Sequence, residues 1–303
     1  MSQLELQRPS ADASALPAGA WPFDPSAPFA GAIRQLLVAT AGLPLTGWEV
    51  SCRLSPGRVT VNRLLLGLSP AAVADHRLQT MPKLLGMPER LSRDFLQELP
   101  YAKRMLMAAE QGAQVVQGAE FKAYHEFFQP MPDGADLPVA LAMRGRKWRG
   151  TGHQQSLRCT DYLRLGLPAA DLQRWLGERS ELGDALGPAL AIVERAVDLA
   201  LDVSPAPLDV LTVTESPSPR LSCCVSFYDR GLRLQALLPA ISRLAQVWNF
   251  SPAWLARLPR QRRLCWLAVG LDAGSQPFLT LYSESSLADA RLAIALGAFD
   301  EHS

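Results

Sequence analysis

The chain has 303 residues, of which 48% are apolar and 19% charged, and its formal net charge is +1. This is enough for one large domain or two ordinary ones, and the balance excludes a disordered chain or a general nucleic-acid-binding surface. No apolar run reaches the roughly 18 residues of a membrane-spanning helix, and no secretion signal is recognisable. We therefore expect a soluble cytoplasmic protein with neither a membrane nor a nucleic acid among its partners.

Residues 1–28 are rich in Pro, Ala and Ser, which predicts a mobile arm ahead of a single domain at 29–303. Helical stretches then alternate with pairs of strand-like runs joined by turns. The predicted helices cover 29–41, 69–85, 89–112, 168–178, 184–203, 231–248, 251–258 and 286–299. The predicted hairpins cover 47–67, 113–128, 137–167, 208–229 and 264–285.

The strand-like runs have one apolar and one polar face. In the first run, Glu49, Ser51 and Arg53 alternate with apolar neighbours. Other polar faces hold Lys122, Tyr124 and Glu126; Thr160, Tyr162 and Arg164; Ser226 and Tyr228; and Thr280, Tyr282 and Glu284. An open sheet with one wet side would show the same alternation, but the amphipathic helices need the apolar strand faces. The pattern predicts an α+β fold: a closed antiparallel ten-stranded β-barrel with a polar, tyrosine-lined lumen, surrounded by a ring of α-helices.

The five cysteines, an odd number, all lie in strand-like runs, and Cys223 and Cys224 are adjacent. Because neighbouring cysteines form only strained bridges, we expect reduced core thiols. Of the four histidines, His125 falls on an apolar strand face and His302 in the tail, and the other two have no Cys or carboxylate at ligand spacing. A zinc site is therefore not expected.

The helix–strand–strand–helix unit, repeated five times over residues 29–298, resembles the prenyltransferase barrel, or ABBA fold, of aromatic and peptide prenyltransferases. The opening hairpin is most similar to that of the cyanobactin peptide prenyltransferases. It carries Glu49-Val-Ser-Cys-Arg53, and then Asn62-Arg63 followed by three leucines. Lys122, in the run Lys122-Ala-Tyr124, matches a Lys of the family's second hairpin. Tyr282 lies in a last strand that resembles the tyrosine-bearing last strand of the family.

The resemblance implies transfer of an isoprenyl group from dimethylallyl or geranyl diphosphate to a nucleophilic residue of a cyclic or linear peptide, as in ribosomal peptide (RiPP) biosynthesis. Arg53, Arg63, Lys122 and Arg164 would bind the diphosphate, with Lys147 as a further candidate. Tyr124, Tyr162, Tyr228 and Tyr282 would shield the allylic cation. Glu49 would take the acceptor proton, with a pKa raised by burial. No cofactor or metal would be tightly bound, and any Mg²⁺ would bind through the diphosphate oxygens.

Three features depart from the family layout, and one of them is that the fourth hairpin carries a single tyrosine, Tyr228. Strict alternation puts Arg63 on the outer face with Val59 and Val61, so it needs a bulge to reach the lumen. The third hairpin contains the basic run 144–150, which we interpret as a substrate-facing loop rather than a nucleic-acid patch.

Other interpretations stay open from the sequence alone. Glu49 could pair with Arg53 on an exposed strand, and Lys122 with Glu126, as in a structural protein with solvated strand faces. The tyrosines would equally suit a noncatalytic barrel that carries an isoprenoid or a pigment. A carrier of neutral lipid does not need several lumenal cations with a carboxylate, whereas a transferase does.

Overall fold

A computed structural model describes residues 30–69, 76–111, 119–127, 140–149, 157–165, 171, 174, 175, 178, 186–216, 221–256, 258–272 and 274–286. The predicted arm at 1–28 lies outside these residues. So do the first part of the second predicted hairpin, at 113–118, and all but the first residue of the last predicted helix.

Ten antiparallel strands form one closed barrel, in which each strand pairs with its neighbours along the chain and the first pairs with the last. The strands are β1 (Leu45–Ser55), β2 (Arg58–Leu68), β3 (Ala102–Gln111), β4 (Ala119–Phe127), β5 (Leu141–Arg149), β6 (Leu157–Leu165), β7 (Val210–Ser216), β8 (Leu221–Ser226), β9 (Leu264–Leu271) and β10 (Pro277–Glu284). The predicted barrel and its strand number are confirmed.

The helices pack against the outside of this barrel. They are α1 (Ala30–Ala39), α2 (His76–Leu84), α3 (Glu89–Glu98), α4 (Gly187–Val203), α5 (Leu238–Val247) and α6 (Pro252–Ala256). Of the helix predicted at 168–178, four residues are described, and all four are helical. Among the described helices, none combines the length and apolar character needed to cross a bilayer.

Two apolar cores lie between the helices and the outer strand faces. One joins α1, α2 and α3 to β1–β5 and contains Ile33, Leu66 and Phe95, which are fully buried. The other joins α4 and α5 to β7–β10. There Ala189, Val193, Ala196 and Ala200 recur along one side of α4 at helical spacing, and their small side chains let the helix lie close to the strands. Because the helices cover the apolar strand faces, the polar faces are left to line the lumen.

Strand β3 is the main correction to the predicted elements. We predicted helix across 89–112, but α3 ends at Glu98 and residues 102–111 form β3. The segment consists of Ala, Met, Leu, Lys, Arg, Glu and Gln, which all favour helix in isolation. Pairing with β2 and β4 overrides that preference and sends Met105 and Met107 outward, while Leu106 and Glu110 face the lumen.

A β-bulge in β2 brings Arg63 into the lumen. Arg53 pairs with Thr60 and Ser51 pairs with Arg63, so two residues of β2, at 61 and 62, lie opposite the single residue Cys52 of β1. The extra residue reverses the alternation, and Arg63 shares the inner face with Thr60. The bulge that the sequence required is therefore present. The hairpin itself turns at Gly57, whose φ of 68° is left-handed and favours glycine.

Candidate active site

The inner strand faces form three tiers along the barrel axis. Ser51 pairs with Tyr282 across β1 and β10, so Tyr282 lies at a level between Glu49 and Arg53. On β4, Tyr124 likewise lies between Lys122 and Glu126. Since a strand rises about 3.3 Å per residue, each tier is about 7 Å from the next. One end of the lumen is thus cationic, the middle tier is aromatic, and the other end contains Glu49.

The cationic end is a cavity of about 600 Å³, which we call the cationic chamber. Its charged lining is Arg53, Arg58, Arg63, Lys122, Lys147, Arg149, Arg158, Glu110, Glu120, Glu215 and Asp272. Seven cationic and four acidic side chains give a formal excess of three positive charges. Such an excess in a partly enclosed space attracts a multiply charged anion.

Three glutamates link the cations of the chamber into one network. Glu110 binds Arg63, with Nε to Oε2 at 3.0 Å, and also Lys122. Glu120 binds Lys122, Arg149 and Arg158. Glu215 binds Lys147 and Arg158, and accepts a hydrogen bond of 3.0 Å from the Thr160 hydroxyl. The network extends over six neighbouring strands, from β2 to β7.

The cations of the chamber keep Glu110 and Glu120 ionised. Burial alone would raise the pKa of Glu110, but Arg63 and Lys122 lower it far below its usual range. The pKa of Glu120 is also lowered, chiefly by Lys122 among the cations, against the opposing effects of burial and Glu110. The chamber therefore holds charged pairs at neutral pH rather than neutral acids.

Arg53 also lines the chamber, and its charge helps to lower the pKa of Glu110. Its Nη2 is 2.8 Å from Oδ2 of Asp272, in the turn after β9. Its guanidinium lies over the ring of Phe278, 4.2 Å from the centroid. These contacts differ from the Glu49 to Arg53 surface pair that an exposed strand would have formed.

Tyr124, Tyr162 and Tyr282 form the aromatic tier and border both ends of the lumen. The rings of Tyr124 and Tyr162 meet edge to face, with centroids 6.1 Å apart. The Tyr282 ring lies 5.9 Å from the guanidinium carbon of Arg63. Three of the four predicted tyrosines are therefore together beside the cations, where their ring faces could stabilise a positive carbon.

Gly145 on β5 makes room for the Tyr124 ring. A Cβ atom at this position would lie 2.6 Å from Cδ1 and Cε1 of Tyr124, closer than such atoms approach in proteins. The strand pairing places Tyr124 directly opposite Gly145. The position of the ring therefore depends on the missing side chain of Gly145.

The third tier is a narrower cavity of about 80 Å³ around Glu49, which we call the Glu49 cavity. Its apolar walls are Leu65, Leu106, Ala142, Met143, Leu211, Cys224 and Trp266. Two ion pairs flank it: Arg104 with Glu126, at 2.6 Å, and Arg164 with Asp209, at 3.0 Å. An acceptor entering here would meet apolar surface with a single carboxylate beyond those pairs.

Glu49 has the raised pKa that the sequence predicted. Burial raises the pKa of this carboxyl to about 7, against the lowering effect of Arg104, and Glu126 and Glu284 raise it further. Glu49 has no ion-pair partner among the described residues. A carboxyl with a pKa near 7 can accept a proton at neutral pH and release it again.

Two predicted site residues are placed elsewhere. Arg164 lines the Glu49 cavity rather than the cationic chamber, because it is six residues from Arg158 along β6, about 20 Å of strand. Tyr228 follows the end of β8 at Ser226, in a 3₁₀ turn at Tyr228–Arg230. Its ring contacts the lumenal Trp266 edge to face, with centroids 6.1 Å apart, so it supports the wall rather than forming it.

Several lumenal residues went unassigned from the sequence. Glu110 and Arg104 lie on β3, which we predicted as helix. Arg158 and Glu215 lie within predicted strands, and Arg158 shares its face with Tyr162, so alternation alone could have found it. Lys147, our further candidate, lines the chamber and is buried.

The basic run at 144–149 is strand rather than the predicted loop. Lys147 and Arg149 face the chamber, whereas Arg144 and Arg146 face outward. Outside the barrel, Glu98 of α3 binds Arg144 at 3.0 Å and Arg146 at 2.7 Å. Burial alone would raise the pKa of Glu98, but His125, Arg146 and Arg144 beside it lower the pKa to about 2. Half of the basic run thus anchors α3, because alternation divides a strand's charges between its two faces.

Metal ligands are not grouped in the described part of the chain. There, no three His, Cys, Asp or Glu side chains are arranged to hold a metal ion. No disulfide joins the five cysteines. The acids of the chamber are engaged by Lys and Arg instead.

Comparison with known proteins finds solved structures that are similar in fold but low in sequence identity. No protein-family model and no curated protein matches the chain. The 5-dimethylallyltryptophan synthase from Streptomyces coelicolor is 16% identical, with a TM-score of 0.49 over 88% of this chain and 99% of that chain. PriB, in a binary complex with product diphosphate, is 19% identical, with a TM-score of 0.49 over 79% and 80%. Identities and scores this low leave the reaction to be argued from the chain's own residues.

Proposed function

We propose that the protein is a prenyltransferase that moves an isoprenyl group from an allylic diphosphate, dimethylallyl or geranyl, to a nucleophilic residue of a peptide. The allylic C–O bond breaks, and its electron pair leaves with the diphosphate in the cationic chamber. The acceptor attacks the allylic carbon beside the tyrosines and forms the new bond. The acceptor proton passes to Glu49.

One observation carries the proposal: a single lumen holds, in order, convergent cations, aromatic rings and a carboxylate with a raised pKa. Lys and Arg stabilise the negative charge that develops on a leaving diphosphate. Aromatic faces stabilise a cation at a few ångströms, and an enclosed site keeps water from it. The order of these groups along the lumen matches the order of the proposed steps: departure of the diphosphate, stabilisation of the allylic cation and removal of the acceptor proton.

The charge of the chamber argues against the carrier alternative. A barrel that carries a neutral isoprenoid or pigment gains nothing from seven cations at one end, and the burial of two of them, Lys122 and Lys147, costs free energy. An alkyl diphosphate brings negative charge that can offset the formal excess of three. The peptide acceptor rests on the resemblance of the first hairpin and is the finer part of the proposal.

Magnesium has a limited part in this proposal. The glutamates of the chamber are already bound by Lys and Arg, so we assign no protein ligands to the ion. Mg²⁺ would enter on the diphosphate oxygens and reduce their charge. We also propose a cytoplasmic location, with which the predicted reduced thiols agree.

The experiment is incubation of the purified protein with dimethylallyl or geranyl diphosphate and a panel of linear peptides, cyclic peptides and aromatic amino acids. We expect a mass increase of one prenyl group on a peptide, measured by mass spectrometry. Product on free amino acids alone would keep the reaction and exclude the peptide acceptor. No product across the panel, with no stabilisation by diphosphate in thermal unfolding, would favour the carrier.

A further inference from the structure

We propose that Glu110, Glu120 and Glu215 act as built-in competitors of the diphosphate: they occupy its cations in the empty chamber and promote its release after transfer. This inference rests on the proposed function and concerns how the same site is regulated. It assigns a role to three carboxylates that the transfer reaction itself does not use.

The three glutamates hold the cations that a diphosphate would need. Each binds at least two Lys or Arg side chains, and Arg158 and Lys122 are each shared between two glutamates. Their side chains are only 20%, 9% and 2% exposed, respectively. The three carboxylates therefore form ion pairs inside the lumen and not on the outer surface of the protein.

An empty chamber needs these carboxylates. Without them, seven cations would repel one another across a partly enclosed space. The alternating charges along β2 to β7 hold Lys and Arg side chains in place before any anion arrives. Binding then requires little rearrangement of the cations, which lowers its cost.

A bound diphosphate meets the same carboxylates as like charges. Its oxygens would share Lys122 and Arg158 with Glu120, and Lys147 with Glu215. Like charges close together in a partly enclosed site repel one another, and this repulsion weakens diphosphate binding. Inorganic diphosphate carries more charge than its alkyl ester. The repulsion therefore weakens the binding of the product more than the binding of the substrate, and release of the product is favoured.

The test is calorimetric titration of inorganic diphosphate into the full-length protein and its Glu110→Gln and Glu215→Gln variants. We expect diphosphate to bind more tightly to both variants, on the order of tenfold, because one repelling charge is gone. Product inhibition by diphosphate should increase in parallel, and steady-state turnover should fall while single-turnover transfer continues. Glu126→Gln, in the Glu49 cavity, is the matched control and should leave diphosphate affinity unchanged.

The outcomes separate this inference from the proposed function. If the wild type binds diphosphate but the Gln variants bind it equally or more weakly, the glutamates only position the cations and the competitor role is wrong. If neither the wild type nor either Gln variant binds diphosphate, the proposed function itself fails. Thermal unfolding shows whether each variant folds, and the two variants lie at opposite ends of the network, so either one can decide the question.

Discussion

The two ends of the lumen bury the same side chain with opposite results. In the cationic chamber, the pKa of Glu110 is lowered because Arg63 and Lys122 converge on it. In the Glu49 cavity, burial dominates, Arg104 compensates only in part, and the pKa of Glu49 is raised to about 7. The two environments push two lumenal carboxyls towards different protonation states.

This difference shows how one lumen can divide two tasks. Carboxylates that remain ionised can organise cations for an anion, whereas a carboxyl poised near neutral pH can move a proton. The division depends on how many cations face each acid, since burial by itself raises the pKa of both. The tyrosine tier lies between the two environments.

The largest expected effect comes from Glu49→Gln, which removes the proton acceptor but keeps the shape of the cavity. Turnover should fall by about 10²- to 10⁴-fold, the usual contribution of general base catalysis, while diphosphate affinity stays within about twofold of wild type. Product formation by mass spectrometry and titration calorimetry measure the two effects. Turnover equal to wild type would remove Glu49 from the mechanism.

The chamber is tested by Lys122→Met, which removes a cation shared by Glu110 and Glu120. Diphosphate affinity should fall about 10²-fold, because a desolvated charge contact is lost. Arg164→Met is the matched control: its side chain is 42% exposed, at the other end of the lumen, and its loss should change affinity less than about twofold. An equal loss of diphosphate affinity in both variants would mean that diphosphate binding is not confined to the cationic chamber.

The pKa of Glu49 also predicts a dependence of stability on pH. Its pKa is about 7 when folded and 4.5 as the ordinary value, so the unfolded chain loses this proton first as pH rises. Glu49 therefore lowers the free energy of unfolding between pH 4.5 and 7, by up to about 3 kcal/mol. Denaturant unfolding of wild type and Glu49→Gln at pH 4 and pH 8 should show that wild type loses more stability at pH 8. The same pH dependence in both proteins would contradict the raised pKa.

The smallest effect is expected at the boundary between the two ends, from Gly145→Ala. The new Cβ would displace the Tyr124 ring, so turnover should fall about tenfold while diphosphate affinity is kept. Tyr124→Phe, which keeps the ring and removes the hydroxyl, should retain more activity than Gly145→Ala. The reverse order would mean that the hydroxyl matters more than the ring position.

Alternation along single strands made much of the site predictable. The inward faces of β1 and β4 follow from a period of two once the helices require the apolar faces, and this placed Glu49, Arg53, Lys122 and Tyr124 correctly. The requirement for a bulge at Arg63 followed from the same rule. A period of two also identified Tyr162 and Tyr282.

Level along the barrel and partner strands were not predictable in the same way. Alternation gives a side chain's face but not its tier, so Arg164 was grouped with cations at the opposite end. Glu110 was missed because β3 has a helix-favouring composition and becomes a strand only through its neighbours. The ion-pair network depends on contacts between strands far apart in sequence, and no local pattern records them.

The bulge in β2 makes the length of that strand as important as its composition. Before the bulge, Arg58 and Thr60 face inward, and after it Arg63 and Leu65 do. Deleting one residue at Asn62 would make the spacing between Thr60 and Arg63 even, so both pairs would face inward along a strand without a bulge. If the present sequence instead formed a straight strand, its unbroken alternation would turn one of the two pairs towards the helices, with no change in the identity of any residue.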